Sequence, residues 1–147
     1  MSLDITLIQP GNVYKALVAI GRHLEIAAER SDGRSNPDDL IRLMLAGQYQ
    51  LWVVYENDTN PLKVLGFFNT EVKVYPQRRM LVVQHCVMDP NHMLEVEDRM
   101  QELAERFAKD SGCVGIEFVG RPGWKKHAHK YKYSSHSVVY QRFFEEH

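Results

Sequence analysis

The sequence predicts an α/β fold, and three features carry that reading. Runs with a period of two alternate with runs whose period is near 3.6. Three of the strand-like runs follow one another with only short turns between them, and the last third of the chain returns to helix and strand in alternation. At 147 residues there is material for one continuous core and too little for two, so residues 1–147 are expected to form one domain.

The elements can be justified in order. "LDITLIQ", from Leu3, alternates apolar and polar positions as a short strand does, and Pro10 and Gly11 close it ahead of Asn12, a plausible helix cap. Val13, Leu17, Ile20, Leu24 and Ala27 then recur at spacings of three and four, one buried stripe on a helix that stops near 31–33. In "SNPDDLIRLMLAG" the punctuation is fuller: Asn36 caps, Pro37 suits the first turn, Asp38 and Asp39 favour the positive end of the dipole, and Gly47 suits the stop. "YQLWVVYE", "KVLGFFNTEVKVY" and "RMLVVQHCVM", joined by the turns "NDTNP" and "YPQR", predict an antiparallel meander. From Asn91 a helical stripe of Val96, Met100, Leu103, Ala104 and Phe107 runs to the stop at Ser111 and Gly112. "CVGIEFV" is short, apolar and β-branched, which suggests a strand near the sheet centre. Pro122 opens a short helix through "GWKKHAHKY", and "HSVVYQRFF" is expected to finish the chain as a strand.

Composition narrows the function. Hydrophobic residues at 44% and charged residues at 25% are ordinary globular values, and a net charge of -1 argues against a surface tuned as a whole to nucleic acid or anionic membrane. No apolar run approaches the roughly 18 residues needed to cross a bilayer, and the N-terminal residues lack the pattern of a secretory signal. Cys86 and Cys113 sit in apolar runs. A disulfide between neighbouring strands is one reading of them; two reduced, buried thiols in a cytoplasmic protein is the other, and it fits better. No spacing of Cys and His matches a metal site: His85 and Cys86 are adjacent on a strand, and His127 and His129 are two apart on a helix.

Strand, two helices, three antiparallel strands, a long helix, a strand, a helix and a final strand is an order that resembles the GCN5-related N-acetyltransferase (GNAT) fold over essentially the whole chain. "LWVVYENDTNPLKVLGFF", with Gly66 early in the second of its strands, looks like that fold's second and third strands. "VVQHCVMDPNH" looks like the fourth strand with its exit, and "GCVGIEFVGRPGWKKHAHKYKY" like the fifth strand and following helix. "GRPGW" ahead of a basic helix is similar to GNAT-like proteins of bacteriophages, some of them virion-associated. The resemblance implies a mixed, twisted central sheet of order β-α-α-β-β-β-α-β-α-β flanked by helices, with the fourth and fifth strands parallel and splayed. It implies an acyl-CoA-dependent N-acetyltransferase acting on an unidentified amine acceptor.

Family members that use acetyl-CoA usually carry Arg/Gln-x-x-Gly-x-Gly/Ala at the start of the long helix, where bare backbone N–H groups approach a diphosphate. The matching positions here are Met93, Val96 and Asp98, in "MLEVED". Side chains at Val96 and Asp98 are expected to obstruct that approach, and Glu95, Glu97 and Asp98 put negative charge where an anion needs positive potential. Acetyl-CoA binding is therefore expected to be weak, on the order of 100 µM or looser. Partial rescue would come from the N–H groups of Asn91, His92 and Met93 and from the charge of Arg99 or Lys125. The family's carbonyl donor maps near Val87. Candidate bases are His85 and Glu117, with His85 favoured by its near-neutral ordinary pKa. The family's tyrosine acid would fall near Ala128, so Tyr131 and Tyr133 are the neighbours to which the role could pass.

Plainer readings stand beside these. His85 also reads as a strand histidine with a satisfied ring, and Trp124 as a core anchor for the last helix. "FVGRPGWKKHAHKYKY" reads as a fold segment whose Lys125, Lys126, Lys130 and Lys132 coat a solvated face, as an anion site, and least well as a nucleic-acid patch. A non-catalytic GNAT fold used for protein interaction, virion-associated or homo-oligomeric, is the alternative from another class.

Overall fold

The computed structural model describes residues 3–59 and 62–145. Five strands form one sheet in the order β1-β2-β3-β4-β5: β1 (Leu3–Ile8), β2 (Gln50–Glu56), β3 (Lys63–Val74), β4 (Arg79–Met88) and β5 (Gly115–Phe118). The first four are antiparallel neighbours, and β5 joins β4 in parallel. A parallel partner requires a crossover, which α3 (Met93–Asp110) supplies. The helices α1 (Val13–Glu29) and α2 (Pro37–Leu45) cover one face of the sheet.

Alternation along the strands builds two cores. Leu51, Val53, Phe67 and Val87 point to α1 and α2, where they meet Ile20, Leu24, Leu40 and Met44. Their neighbours Trp52, Val54, Leu65 and Phe68 point to the other face and pack with Val96 and Met100 of α3. Trp52 lies flat on Phe68, with centroids 5.4 Å apart, and takes the edge of Phe107 at 5.6 Å. The indole N–H is satisfied by Thr70 at 3.0 Å, so a polar atom deep in the sheet costs little.

The stripes and the cap of α2 read from the sequence hold, whereas Asn12 precedes α1 without a side-chain capping hydrogen bond. Val13, Ile20, Leu24 and Ala27 are buried on α1. Asn36 and Asp39 make the reciprocal cap of α2, and Gly47 takes the left-handed conformation at its end. His23 was not read as core, yet it is fully buried on α1, and its Nε2–H donates to Asp89 at 2.8 Å. Arg22 donates two further bonds to the same carboxylate at 2.8 and 2.7 Å. Together they fasten α1 to the exit of β4.

Two expectations need correction. The segment 136–144 is not a strand; it runs without regular structure, and Val138, Val139, Tyr140 and Phe144 are exposed. β5 in consequence lies at the edge of the sheet among the described residues rather than near its centre. Its apolar character has a different cause: Ile116 packs on Leu81, Ala104 and Ala108 beneath α3. After β5 come a 3-10 turn, Pro122–Trp124, and the short helix α4 (Lys125–Lys130).

Candidate active-site cleft

The pairing of β4 with β5 runs only from Met80↔Gly115 to Val83↔Phe118, whereas β4 continues to Met88. Past that point the two strands part. The register between β3 and β4 also shifts here: Asn69 faces His85 and Thr70 faces Val83, so Gln84 is the extra residue of a bulge. A bulge sharpens the local twist and turns the strand away from its parallel neighbour. Residues 84–88 therefore have β3 on one side and a cleft on the other.

Gly66 makes this geometry possible. A Cβ there would lie 2.2 Å from the carbonyl oxygen of Val87 and 2.9 Å from Cα of Met88. Only glycine lets β3 come this close to β4 at the cleft.

His85, Cys86 and Val87 of β4, Phe118 of β5, and His127 and Tyr133 beyond it line the cleft. It opens into an adjoining recess of about 430 Å³ bounded by Arg30, Cys86, Met88, Met93, Arg121 and Trp124. Burial lowers the pKa of His85, which keeps its imidazole neutral near pH 7. Burial pushes the Cys86 thiol up to about 12 against the opposing charge of Arg30, so it stays protonated. Burial also raises Tyr133, whose hydroxyl is held by Gln101 of α3 at 2.9 Å. Both cysteines are free and half-buried.

Of the four candidates for acid and base, His85 and Tyr133 reach the cleft. Glu117 lines neither space; it accepts from the Tyr75 hydroxyl at 2.7 Å. Tyr131 bonds to Asp98. Among the candidates for the cofactor, Val87 and Met93 border the cleft and its recess. Asn91 sits in the left-handed region at φ 70°, and His92 precedes α3 with Nδ1 3.4 Å from Glu95, too poorly aimed for a hydrogen bond. Arg99 pairs with Glu102 at 3.2 Å, and Lys125 is exposed at the start of α4; neither borders the cleft or the recess.

The first turns of α3 do not fit a diphosphate. Val96 does not obstruct them, contrary to the sequence reading: it is 2% exposed and belongs to the core. The obstacle is charge and α4. Glu97, only 4% exposed, accepts from Lys130 at 2.5 Å and from His127 at 3.1 Å, and Asp98 meets Tyr131 and Lys130. Burial works to raise the Glu97 carboxyl, but Lys130 and His127 together hold it below its ordinary value. These contacts tie α4 to the turns where an anion would have to lie.

Trp124 is not a core anchor. It is half-buried on the wall of the recess, edge-on to Phe118 at 5.9 Å and to His127 at 5.2 Å. The sequence reading also missed Arg30, Cys86 and Gln101 as lining residues. A clue to Arg121 and Trp124 lay in "GRPGW": a Cβ at Gly120 would stand 3.0 Å from both Phe118 and Trp124, so that glycine lets the loop fold onto the cleft.

No protein-family profile matches the chain, and no curated protein does. Solved structures do match. The chain is similar to a GCN5-related N-acetyltransferase from Ralstonia eutropha, at 14% identity and TM-score 0.71, over 97% of this chain and 99% of that one. It is similar to glucosamine-6-phosphate N-acetyltransferase from Arabidopsis thaliana, at 13% identity and TM-score 0.69, over 99% and 100%. A third, AAC(6')-Iy in complex with the bisubstrate analogue CoA-S-monomethyl-acetylneamine, matches at 11% identity and TM-score 0.68, over 97% and 99%. The protein therefore has the GNAT fold, with helices on both faces of a mostly antiparallel sheet in which the parallel pair of β4 and β5 opens into the cleft.

Proposed function

We propose that the protein is an acyl-CoA-dependent N-acetyltransferase whose cleft between β4 and β5 takes the acyl-pantetheine arm. The observation that supports this best is the parting of the parallel strands beyond Val83 and Phe118. It leaves the backbone edge of residues 84–88 without a β5 partner, and an amide-bearing arm can pair along such an edge as an added strand. The thioester carbonyl would accept from a backbone N–H near Val87, which stabilises the oxyanion as the amine nitrogen attacks. His85, kept neutral by burial, takes the proton of the attacking amine. The C–S bond then breaks, and Tyr133, the hydroxyl present in the cleft, gives its proton to the thiolate. AAC(6')-Iy with its CoA analogue makes an acyl-CoA and an amine the natural pair to try.

The test is release of free thiol from acetyl-CoA in the presence of amino sugars, aminoglycosides and amino acids. Turnover that falls by roughly 10²-fold or more in His85→Gln supports the assignment, whereas turnover unchanged by that substitution removes His85 from it. A second reading, a non-catalytic GNAT fold that binds a protein, is favoured by the α3–α4 ion pairs at Glu97 and Asp98. A protein that binds neither acetyl-CoA nor CoA at millimolar concentration would decide for it.

A further inference from the structure

Arg30 and Arg121 come from distant parts of the chain, the C-cap of α1 and the loop after β5, and both border the cleft and the recess beside it. Arg22, Arg34, Arg42, Arg99 and Arg106 each pair with a carboxylate. Arg30 and Arg121 do not: among the described residues neither guanidinium has a carboxylate within 4.0 Å or donates a hydrogen bond. The rest of the recess offers them no counter-charge. Its other walls are Met88, Met93, Gly123 and Trp124, with the Cys86 thiol held protonated, and the acids at the start of α3 face other partners, Glu95 lying beside His92 and Glu97 and Asp98 engaged by α4. Each guanidinium carries five N–H donors in a planar fork that matches the oxygens of a phosphate. Two such forks in one concave, partly apolar space concentrate positive potential that a single carboxylate would only half neutralise.

We propose that Arg30 and Arg121 form a phosphate-binding pair, and that the recess between them takes a phosphate monoester or diphosphate. The backbone prepares both positions. Arg30 sits at the negative end of the α1 dipole, which favours a cation there, and the close approach that Gly120 allows folds the loop onto Trp124, whose backbone N–H donates to the Arg121 carbonyl at 2.9 Å. In the transferase reading the ligand is the diphosphate of acyl-CoA, relocated from the first turns of α3 to the opposite wall. That form of the proposal rests on the proposed function; the anion site itself does not.

The experiment titrates inorganic pyrophosphate, CoA and pantetheine by calorimetry into the unmodified protein, Arg30→Gln, Arg121→Gln and the double variant, with Lys126→Gln as a control at an exposed position outside the recess. Both arginines are exposed, so the variants should keep the melting temperature of the parent. Pyrophosphate and CoA should compete for one site, and each arginine variant should loosen both by roughly tenfold, with pantetheine and Lys126→Gln unaffected. Pyrophosphate binding that needs the two arginines while CoA fails to bind would keep the anion site and remove the transferase reading. CoA binding that is equally tight in the double variant would leave the transferase while showing that the pair does not hold the CoA diphosphate, and pyrophosphate binding that is equally tight there would overturn the pair. Absence of any pyrophosphate binding at millimolar concentration overturns the pair outright.

Discussion

Replacing Gly66 by alanine adds one methyl group where β3 crosses β4. The new Cβ would lie 2.2 Å from the Val87 carbonyl oxygen, 2.7 Å from the Met88 sulfur and 2.9 Å from the Met88 Cα. The sulfur can swing aside, but the other two atoms are backbone and cannot. Restoring ordinary contact, at about 3.4 Å or more, requires β4 to retreat by roughly 1 Å. That retreat loosens the ladder around Phe67↔Val87 and the bond from Asp89 N–H to the Leu65 carbonyl, now 2.7 Å. Overpacking of this kind costs about 1–3 kcal/mol, and because the clash is with backbone the upper half of that range is expected. For a chain of this length the melting temperature should fall by roughly 5–10 °C. Urea unfolding measures it directly, as a lower midpoint at unchanged m-value. Because Val87 borders the cleft, CoA affinity should weaken alongside stability. A Gly66→Ala protein within about 0.5 kcal/mol of the parent, binding CoA as well as before, would refute the argument that glycine is what lets β3 and β4 close up at the cleft.

The tie between α3 and α4 should respond to acid. Glu97 has a lowered pKa in the folded protein, so its stabilising charge is fully present above the ordinary value of 4.5 and is lost as pH falls through the lower folded value. Stability measured from pH 7 to 3 should therefore drop more steeply in the parent than in Glu97→Gln, and identical slopes would contradict this. His85 should titrate below its ordinary 6.5 by NMR of the imidazole, and the acetyl-transfer rate, if His85 is the base, should rise with pH through that lowered value. A ring that titrates at or above 6.5 would sink that assignment. Trp124→Ala should cost about 2 kcal/mol by urea unfolding, less than the roughly 3–5 of a core aromatic, because the ring is only half-buried; a loss at the full core value would place the ring in the core after all.

Element order, caps and stripes were legible because each depends on local chemistry: the Asn36–Asp39 cap, the glycine stops and the alternation of Trp52 with Val53 all follow from spacing along the chain. The fate of 136–144 was not, since its β-branched and aromatic residues carry strand propensity wherever they lie, and only tertiary pairing decides whether a strand forms. The cleft itself was half legible. His85 and Val87 could be placed on it from the resemblance, but Arg30 reaches it from the end of a helix more than fifty residues upstream, and nothing in its local sequence says so. His23 was invisible for a related reason: its burial depends on Asp89, a partner 66 residues away. Glu97 looked like a repellent charge in one dimension and proves to be a buried acceptor in three.

The two walls of the cleft differ in how firmly they are held. β4 is laced to β3 along its whole length, and its exit is fastened to α1 through Asp89. β5 has four residues, one neighbouring strand and, among the described residues, an outer edge with no strand beside it. Its opening free energy must lie well below that of the β3–β4 ladder, so amide exchange at residues 115–118 should outrun exchange across β4. Whatever enters the cleft thus meets one fixed jaw and one compliant jaw, and accommodation of ligands of different girth falls to β5.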